Sequence, residues 1–177
     1  MKNYFLSALL LLCTVSISAQ DNEPKQNFNE LKINGLYLVL GAFDVTYERT
    51  LNEESGFGVN VFLPFDDDVN DDINYYVSPY YRMYFGKKYA AGFFVEGFGM
   101  LNSVKDYSYE LILGDILVET EDNVTDFALG IGVGGKWVTS RGFLGELGFG
   151  VGRNLFNSSN NGSEFVGKVG ITLGYRF

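Results

Sequence analysis

The chain has 177 residues, enough for one domain of ordinary size, and its 13 Lys and Arg stand against 22 Asp and Glu. It contains one Cys and no His, which excludes Ser-His-Asp and Cys-His catalysis and a His-ligated zinc site. The net charge of −9 also argues against nucleic acid as a partner, because binding to a phosphate backbone requires clustered basic side chains.

The first 19 residues have the pattern of a secretory signal peptide. Lys2 provides the positive start, and the apolar stretch over residues 4–15 is too short to span a bilayer. Ala19 ends the segment with the small residue that a signal peptidase requires. We therefore predict cleavage after Ala19.

A lipid anchor on Cys13 is the alternative for this segment, but Leu12 stands where a lipobox needs Gly or Ala. Cleavage after the signal peptide removes this single Cys, so the mature chain is expected to have no disulfide. We predict a polar, flexible lead-in over residues 20–30 and one domain over residues 31–177.

From the lead-in onward, apolar and polar residues alternate with the period of two that is typical of β-strands. The first alternating segment is the least regular, and we expect a tight turn at Gly41 and Ala42 to separate it from the second. Eight segments follow one another: residues 31–40, 44–50, 57–65, 75–85, 93–101, 127–137, 143–154 and 165–177.

The connections between these segments alternate in length. Residues 52–54, 86–88 and 140–142 form short connections, whereas 66–72, 102–125 and 157–163 are longer and polar, and residues 106–126 are expected to form a projecting hairpin. Short turns at one end and longer loops at the other are typical of a membrane barrel. The predicted fold is all-β, an eight-stranded antiparallel up-and-down transmembrane β-barrel.

Alternation alone does not tell which face of a strand meets solvent, so a soluble barrel is the alternative. One face is almost entirely apolar, and the other is mostly Gly with few charges. The interior of an eight-stranded barrel is just wide enough for side chains, and we expect Gly to leave room there for long, paired Lys and Arg side chains. The predicted lumen charge network has four acidic and four basic members: Asp44, Glu48, Glu96, Glu146, Arg82, Lys136, Lys168 and Arg176.

The chain ends on an alternating strand whose apolar side carries Val169, Ile171, Leu173, Tyr175 and Phe177. This ending resembles the C-terminal signal of bacterial outer-membrane barrels, which the barrel-assembly machinery reads. The whole mature chain resembles the OmpA/OmpX-type barrel domains. More narrowly, KIN at residues 32–34 followed by VTYER at 45–49 resembles a Bacteroidota outer-membrane barrel family of unknown function. The resemblance implies a bacterial outer-membrane location, with membrane lipids and the assembly machinery as partners, and it implies no active-site residues.

Residues 130–137 match the dinucleotide pattern G-x-G-x-x-G, and they miss the P-loop pattern only because Trp137 stands where Ser or Thr is required. Both patterns need a loop that leads into a helix, whereas here the alternation continues without interruption. We interpret these glycines as lumen positions of a strand, so no nucleotide cofactor is predicted.

Asp66, Asp68 and Asn70 have the spacing of the first EF-hand ligands. Asp71 stands at the required Gly, however, and Val77 replaces the final Glu, so an EF-hand is excluded. A looser cation site or an unidentified extracellular ligand is the candidate partner of the acidic loops.

The sequence predicts a structural or surface-interaction role without catalysis, cofactor or metal. Two alternatives stay open. A narrow channel for ions or small solutes would require that the charged side chains do not plug the lumen. A secreted soluble barrel that binds a small apolar ligand would require Phe57, Phe127, Phe149 and Ile171 to point inward.

Overall fold

The computed structural model describes residues 27–66, 73–112, 116–156 and 164–177, and its description of side chains leaves out residues 106–122. The predicted signal peptide over residues 1–19 and the alternative anchor at Cys13 lie outside the described residues. Most of the Asp-rich connection after Asp66 also lies outside them. Among the described residues, no helix is long and apolar enough to cross a membrane.

The strands form one closed antiparallel barrel in the order β1 to β8, and β1 pairs with β8 to close it. This confirms the predicted eight-stranded antiparallel up-and-down barrel. The elements are β1 (Asn29–Asn34), α1 (Gly35–Leu40), β2 (Ala42–Thr50), β3 (Ser55–Pro64), β4 (Ile73–Phe85), β5 (Gly92–Ile112), β6 (Ile116–Val138), β7 (Phe143–Asn154) and β8 (Phe165–Arg176).

The up-and-down topology gives the barrel two unlike ends. The terminal end carries the start of β1, the end of β8 and three short connections, and the loop end carries α1 and the other three connections. β5 and β6 are the longest strands and pair as far as Ile112 and Ile116. Their neighbours stop earlier, since β4 pairs with β5 only to Val104 and β7 pairs with β6 only to Ala128. The hairpin predicted over residues 106–126 therefore extends past the neighbouring strands at the loop end.

The prediction of one strand over residues 31–40 is wrong for residues 35–40, which form α1. β1 ends at Asn34, whose side-chain oxygen accepts a hydrogen bond from the Leu36 N–H at 3.2 Å and so caps α1. The helix stops at Gly41, which has a φ of 107° and donates its N–H to the Tyr37 carbonyl at 3.0 Å. The poor alternation in this segment reflects a change from strand to helix.

Helix α1 completes the barrel wall where β1 is too short. β1 pairs with β8 only as far as Thr172, and residues 165–171 of β8 extend beyond it. Asn34 replaces part of the missing ladder, because its amide donates to the Val169 carbonyl at 3.0 Å and accepts from the Ile171 N–H at 3.2 Å. Helix α1 also packs against β8. Asn34 thereby satisfies backbone groups that a longer strand would otherwise have paired.

Glycines on the lumen side make room for aromatic rings as well as for charged side chains. A Cβ on Gly130 would lie 2.3 Å from the Phe98 ring, and one on Gly174 would lie 2.7 Å from the Lys32 side chain. The predicted space for long basic side chains is thus present at Gly174. Aromatic rings such as that of Phe98 fill much of the remaining space.

Candidate functional site

Two apolar clusters fill part of the lumen, and the charged side chains lie alongside them. The cluster at the terminal end contains Tyr84, Ala90 and Phe94. The larger cluster reaches toward the loop end and contains Ala42, Phe62, Tyr76, Tyr80, Phe98, Met100 and Ala128. Helix α1 adds Tyr37, whose ring meets Phe62 edge-on at 5.2 Å between centroids.

Two buried lysines hold the centre of the charge network. Lys32 Nζ lies 2.7 Å from Glu48 Oε2 and 2.8 Å from Glu146 Oε1. Lys136 Nζ lies 2.7 Å from Glu30 Oε2 and 2.8 Å from Glu48 Oε1. Because both ammonium groups are fully buried, these contacts replace the water that each charge loses on folding.

Arg82 joins this centre to β5. Its Nε and Nη2 donate to Glu96 Oε2 at 3.0 and 2.7 Å, and its Nη1 donates to Glu146 Oε2 at 3.0 Å. The guanidinium carbon also lies 3.7 Å from the centroid of the Phe94 ring and 4.7 Å from that of Tyr80. Charge-assisted hydrogen bonds and cation–π contacts together fix this side chain in one position.

Arg176 connects the network to the terminal end of the barrel. Its Nε donates to Glu30 Oε1 at 2.8 Å, while Nη1 and Nη2 donate to the carbonyls of Tyr89 and Ala90 at 2.9 and 2.8 Å. Ala90 is fully buried and has a φ of 40°, which L-residues rarely adopt. The connection between β4 and β5 is therefore folded over the terminal mouth of the lumen.

Lys168 and Asp44 line a polar cavity of about 60 Å³ toward the loop end. Lys168 Nζ lies 3.4 Å from Glu96 Oε1. Asp44 accepts hydrogen bonds from the amides of Asn34, at 2.9 Å, and Asn60. Within the part of the chain that the structure describes, no cationic group forms a salt bridge with Asp44, so neutral donors hold this carboxylate.

The structure places all eight predicted charged residues in the lumen. Seven of them join one connected network of ion pairs, and Asp44 lies beside it. Sequence reasoning missed Glu30 and Lys32, because Glu30 falls in the predicted lead-in and the alternation in β1 is poor. Leu31 and Ile33 alternate with Lys32 between them, and continuing this alternation one residue toward the N-terminus includes Glu30.

Two tyrosines of β4 also belong to this network. Tyr80 donates its hydroxyl to Glu48 Oε2 at 2.6 Å. Tyr84 donates to Glu48 and accepts from Lys136. Glu48 is thus surrounded by two ammonium groups and two hydroxyls, which satisfy its oxygen atoms.

Three carboxylates approach one another closely enough to suggest a metal site. One oxygen each of Glu30, Glu48 and Glu146 lies within 4.8 Å of the others. Lys32 and Lys136 already contact this group, and their ammonium ions supply the positive charge that a metal would otherwise bring. We assign no metal to it.

The outer surface of the described strands is apolar between Arg49 at the terminal end and Arg153 at the loop end. Phe57, Phe149 and Ile171 are 48%, 59% and 52% exposed. Phe127 lies on the same side, with its ring 2.9 Å from where a Cβ on the outward Gly99 would stand. The four residues that the soluble-barrel alternative requires inside the barrel therefore point outward.

The C-terminal strand presents its apolar side outward. Val169, Ile171, Leu173, Tyr175 and Phe177 are all between 44% and 63% exposed. The Phe177 backbone pairs with that of Asn29 through hydrogen bonds of 2.8 and 3.1 Å, so the last residue takes part in barrel closure. The glycine-rich residues 130–137 lie inside β6, in agreement with their interpretation as strand residues.

Comparison with known proteins agrees with this architecture. No curated protein sequence matches the chain. Among solved structures, the N-terminal β-barrel domain of Pseudomonas aeruginosa OprF is similar, with a TM-score of 0.60 at 14% identity over 86% of this chain and 98% of that domain. This likeness concerns the fold alone. The family model described as a protein of unknown function (DUF3575) matches residues 5–163, and the chain therefore belongs to this family.

Proposed function

We propose that the chain is a bacterial outer-membrane β-barrel protein that has a structural or surface-interaction role and performs no catalysis. The observation that carries this proposal is that the inner face of the barrel wall is charged and its outer face is apolar, the reverse of a barrel in water. Charged side chains are paired inside the barrel, and the described outer face between its rims is apolar. A barrel in water would bury the apolar face instead, whereas a lipid bilayer favours this arrangement.

The height of the apolar band supports the same environment. The outward residues of β7 run from Phe143 to Val151, and those of β8 run from Phe165 to Phe177. A rise of about 3.3 Å per residue and a tilt of about 40° convert these lengths to roughly 20 and 30 Å. These values bracket the apolar band of about 25 Å that outer-membrane barrels present. Trp137 and Tyr175 lie near the terminal rim, where interfacial aromatic residues are expected.

The mechanism in this proposal is passive. The apolar band dissolves in membrane lipid, the ion pairs hold the strands from inside, and the connections at the loop end meet the exterior. The predicted signal peptide and the outward apolar side of the last strand support export and recognition by the barrel-assembly machinery. In this proposal the surface partner is an unidentified ligand or a cation that the acidic loops bind.

Cell fractionation followed by gel electrophoresis of unboiled and boiled samples tests this proposal. We expect the protein in the outer-membrane fraction, and we expect it to migrate differently before and after boiling because a closed barrel resists detergent until it is heated. Recovery in the soluble fraction, or a mobility that boiling does not change, would overturn the proposal.

A further inference from the structure

The apolar outer surface contains a shallow groove across β6, β7 and β8, close to the loop end. Its volume is about 400 Å³, and it is lined by Leu129, Ile131, Val151, Arg153 and Phe165 over the backbone of two glycines. Four of these five side chains are apolar and exposed by 48% to 69%. The groove therefore offers a hydrocarbon surface with one cationic group at its rim.

A missing side chain opens this groove toward β8. The paired Gly130 and Gly152 have their Cβ positions on the lumen side, so they contribute only backbone to its floor. Gly167 pairs with Val151, and no atom lies within 4 Å of where its Cβ would stand. The surface is thus open toward β8, where a larger residue would fill it without a clash.

Arg153 stands at the loop-end rim of the groove. Its side chain is 62% exposed, and its Nη2 lies 2.6 Å from Oε1 of Glu164. A guanidinium has five N–H donors, which is more than one carboxylate can accept, so Arg153 can bind a second anion. Glu164 keeps the guanidinium at the rim and also repels any anion that approaches it.

We propose that this groove binds an anionic membrane lipid that carries a phosphate group. An acyl chain lies against Leu129, Ile131, Val151 and Phe165, and the lipid phosphate accepts hydrogen bonds from Arg153. Arginine suits this role because its planar fork matches two phosphate oxygens, and the pair is strengthened where the membrane interface excludes water. The inference rests on the proposed function, since it requires that the outer face contacts lipid.

Native mass spectrometry of the full chain in a neutral detergent tests the inference, with phosphatidylglycerol as the probe. Diacylglycerol supplies the same chains without phosphate, and inorganic phosphate supplies the anion without chains. We expect phosphatidylglycerol to bind at one saturable site and the other two probes to bind at least about tenfold more weakly, the loss equivalent to one charge-assisted hydrogen bond.

Three variants define the site. Arg153→Gln and Gly167→Leu should each weaken phosphatidylglycerol binding by about tenfold, because the first removes the cation and the second fills the groove. Glu164→Gln should strengthen binding, because it removes a competing carboxylate. A merely structural role of Arg153 would not produce this gain.

Matched controls lie elsewhere on the outer surface. Arg49→Gln removes an exposed arginine at the opposite rim, and Gly97→Leu fills another outward glycine that has no atom near its Cβ position. Both should leave binding unchanged, and every variant is first checked for the heat-dependent gel shift. If one glycine variant fails to fold, Arg153→Gln and Glu164→Gln still decide the question.

Two outcomes would overturn the inference. Equal binding of phosphatidylglycerol and diacylglycerol would remove the role of Arg153, and equal losses in Arg49→Gln and Arg153→Gln would show nonspecific attraction. Either result leaves the proposed function, a membrane barrel, unaffected, provided that the wild-type protein is recovered in the outer membrane. Recovery of the wild type as a soluble protein would instead overturn both proposals.

Discussion

Lys32 on β1 and Glu146 on β7 meet in the lumen, where Nζ and Oε1 are 2.8 Å apart although 114 residues separate them in the chain. The two strands are not neighbours in the barrel wall, because β8 lies between them. Their contact therefore adds a constraint that the hydrogen-bond ladder does not provide. A slip of one residue in register would turn such a charge toward the apolar outer side.

Loss of Lys32 should destabilise the barrel strongly. Lys32→Met leaves Glu48 and Glu146 buried with one cation fewer, and breaking a buried pair typically costs about 3–5 kcal/mol. Urea unfolding in zwitterionic vesicles, followed through the fluorescence of Trp137, measures this loss. The control is Arg153→Gln, which breaks an exposed pair and should cost about 0–1 kcal/mol. Equal effects would contradict a structural role for the buried network.

Gly130 should not tolerate even one added carbon. In Gly130→Ala the new Cβ would stand 2.3 Å from the Phe98 ring and 2.6 Å from the Val151 carbonyl, and overpacking of this kind typically costs about 1–3 kcal/mol. Gly97→Ala is the matched control, since its Cβ meets nothing within 4 Å. The same urea titration compares the two variants, and a stable Gly130→Ala barrel would show that the ring moves freely.

Asn34 should control the protection of β8 in the loop half of the barrel. Asn34→Ala removes partners of the Ile171 N–H and the Val169 carbonyl, and an unsatisfied buried group costs about 1–3 kcal/mol. Hydrogen exchange should accelerate at the Ile171 amide and stay unchanged at the terminal end of β8. Asn29→Ala, which removes only an exposed contact with Tyr47, serves as the control. Uniform exchange along β8 in both variants would argue against this role of Asn34.

The described lumen should not conduct ions steadily. Cationic side chains and carboxylates fill it together with two apolar clusters, and the polar cavity beside Lys168 measures only about 60 Å³. Single-channel recording in planar bilayers should show no stable open level for the wild type, and brief openings should increase in Arg82→Ala or Glu96→Ala. A persistent wild-type conductance would favour the channel alternative.

Phe177 should matter more for assembly than for stability. Its side chain is 51% exposed, whereas its backbone pairs with Asn29 to close the barrel. Phe177→Ala keeps the backbone pairing, so we expect a normal urea midpoint after refolding but a smaller heat-shifted fraction in cells. Leu63→Ala removes a similarly exposed apolar side chain away from the last strand and is the control. Equal yields of the two variants in cells would contradict recognition of the C-terminal residue.

The sequence by itself determined the fold class and the inward charged residues. Alternation with a period of two is a local property of extended backbone, so Glu48, Arg82 and Glu146 are recognised as one side of their strands before any partner is known. The balance of Gly and paired charges against Phe, Leu and Val then distinguished the lumen side from the outer side.

Only the tertiary structure decided which charges meet and where the pattern ends. Lys32 and Asp44 illustrate this. Lys32 lies at the centre of the charge network, whereas Asp44 accepts hydrogen bonds from neutral amides and pairs with no cation among the described residues. Such choices depend on the register of every strand and on closure of the barrel, which bring together residues far apart in the chain. The change to helix at Asn34 also depends on tertiary structure. Its amide satisfies backbone groups of β8, and the local alternation of β1 gives no sign of this contact.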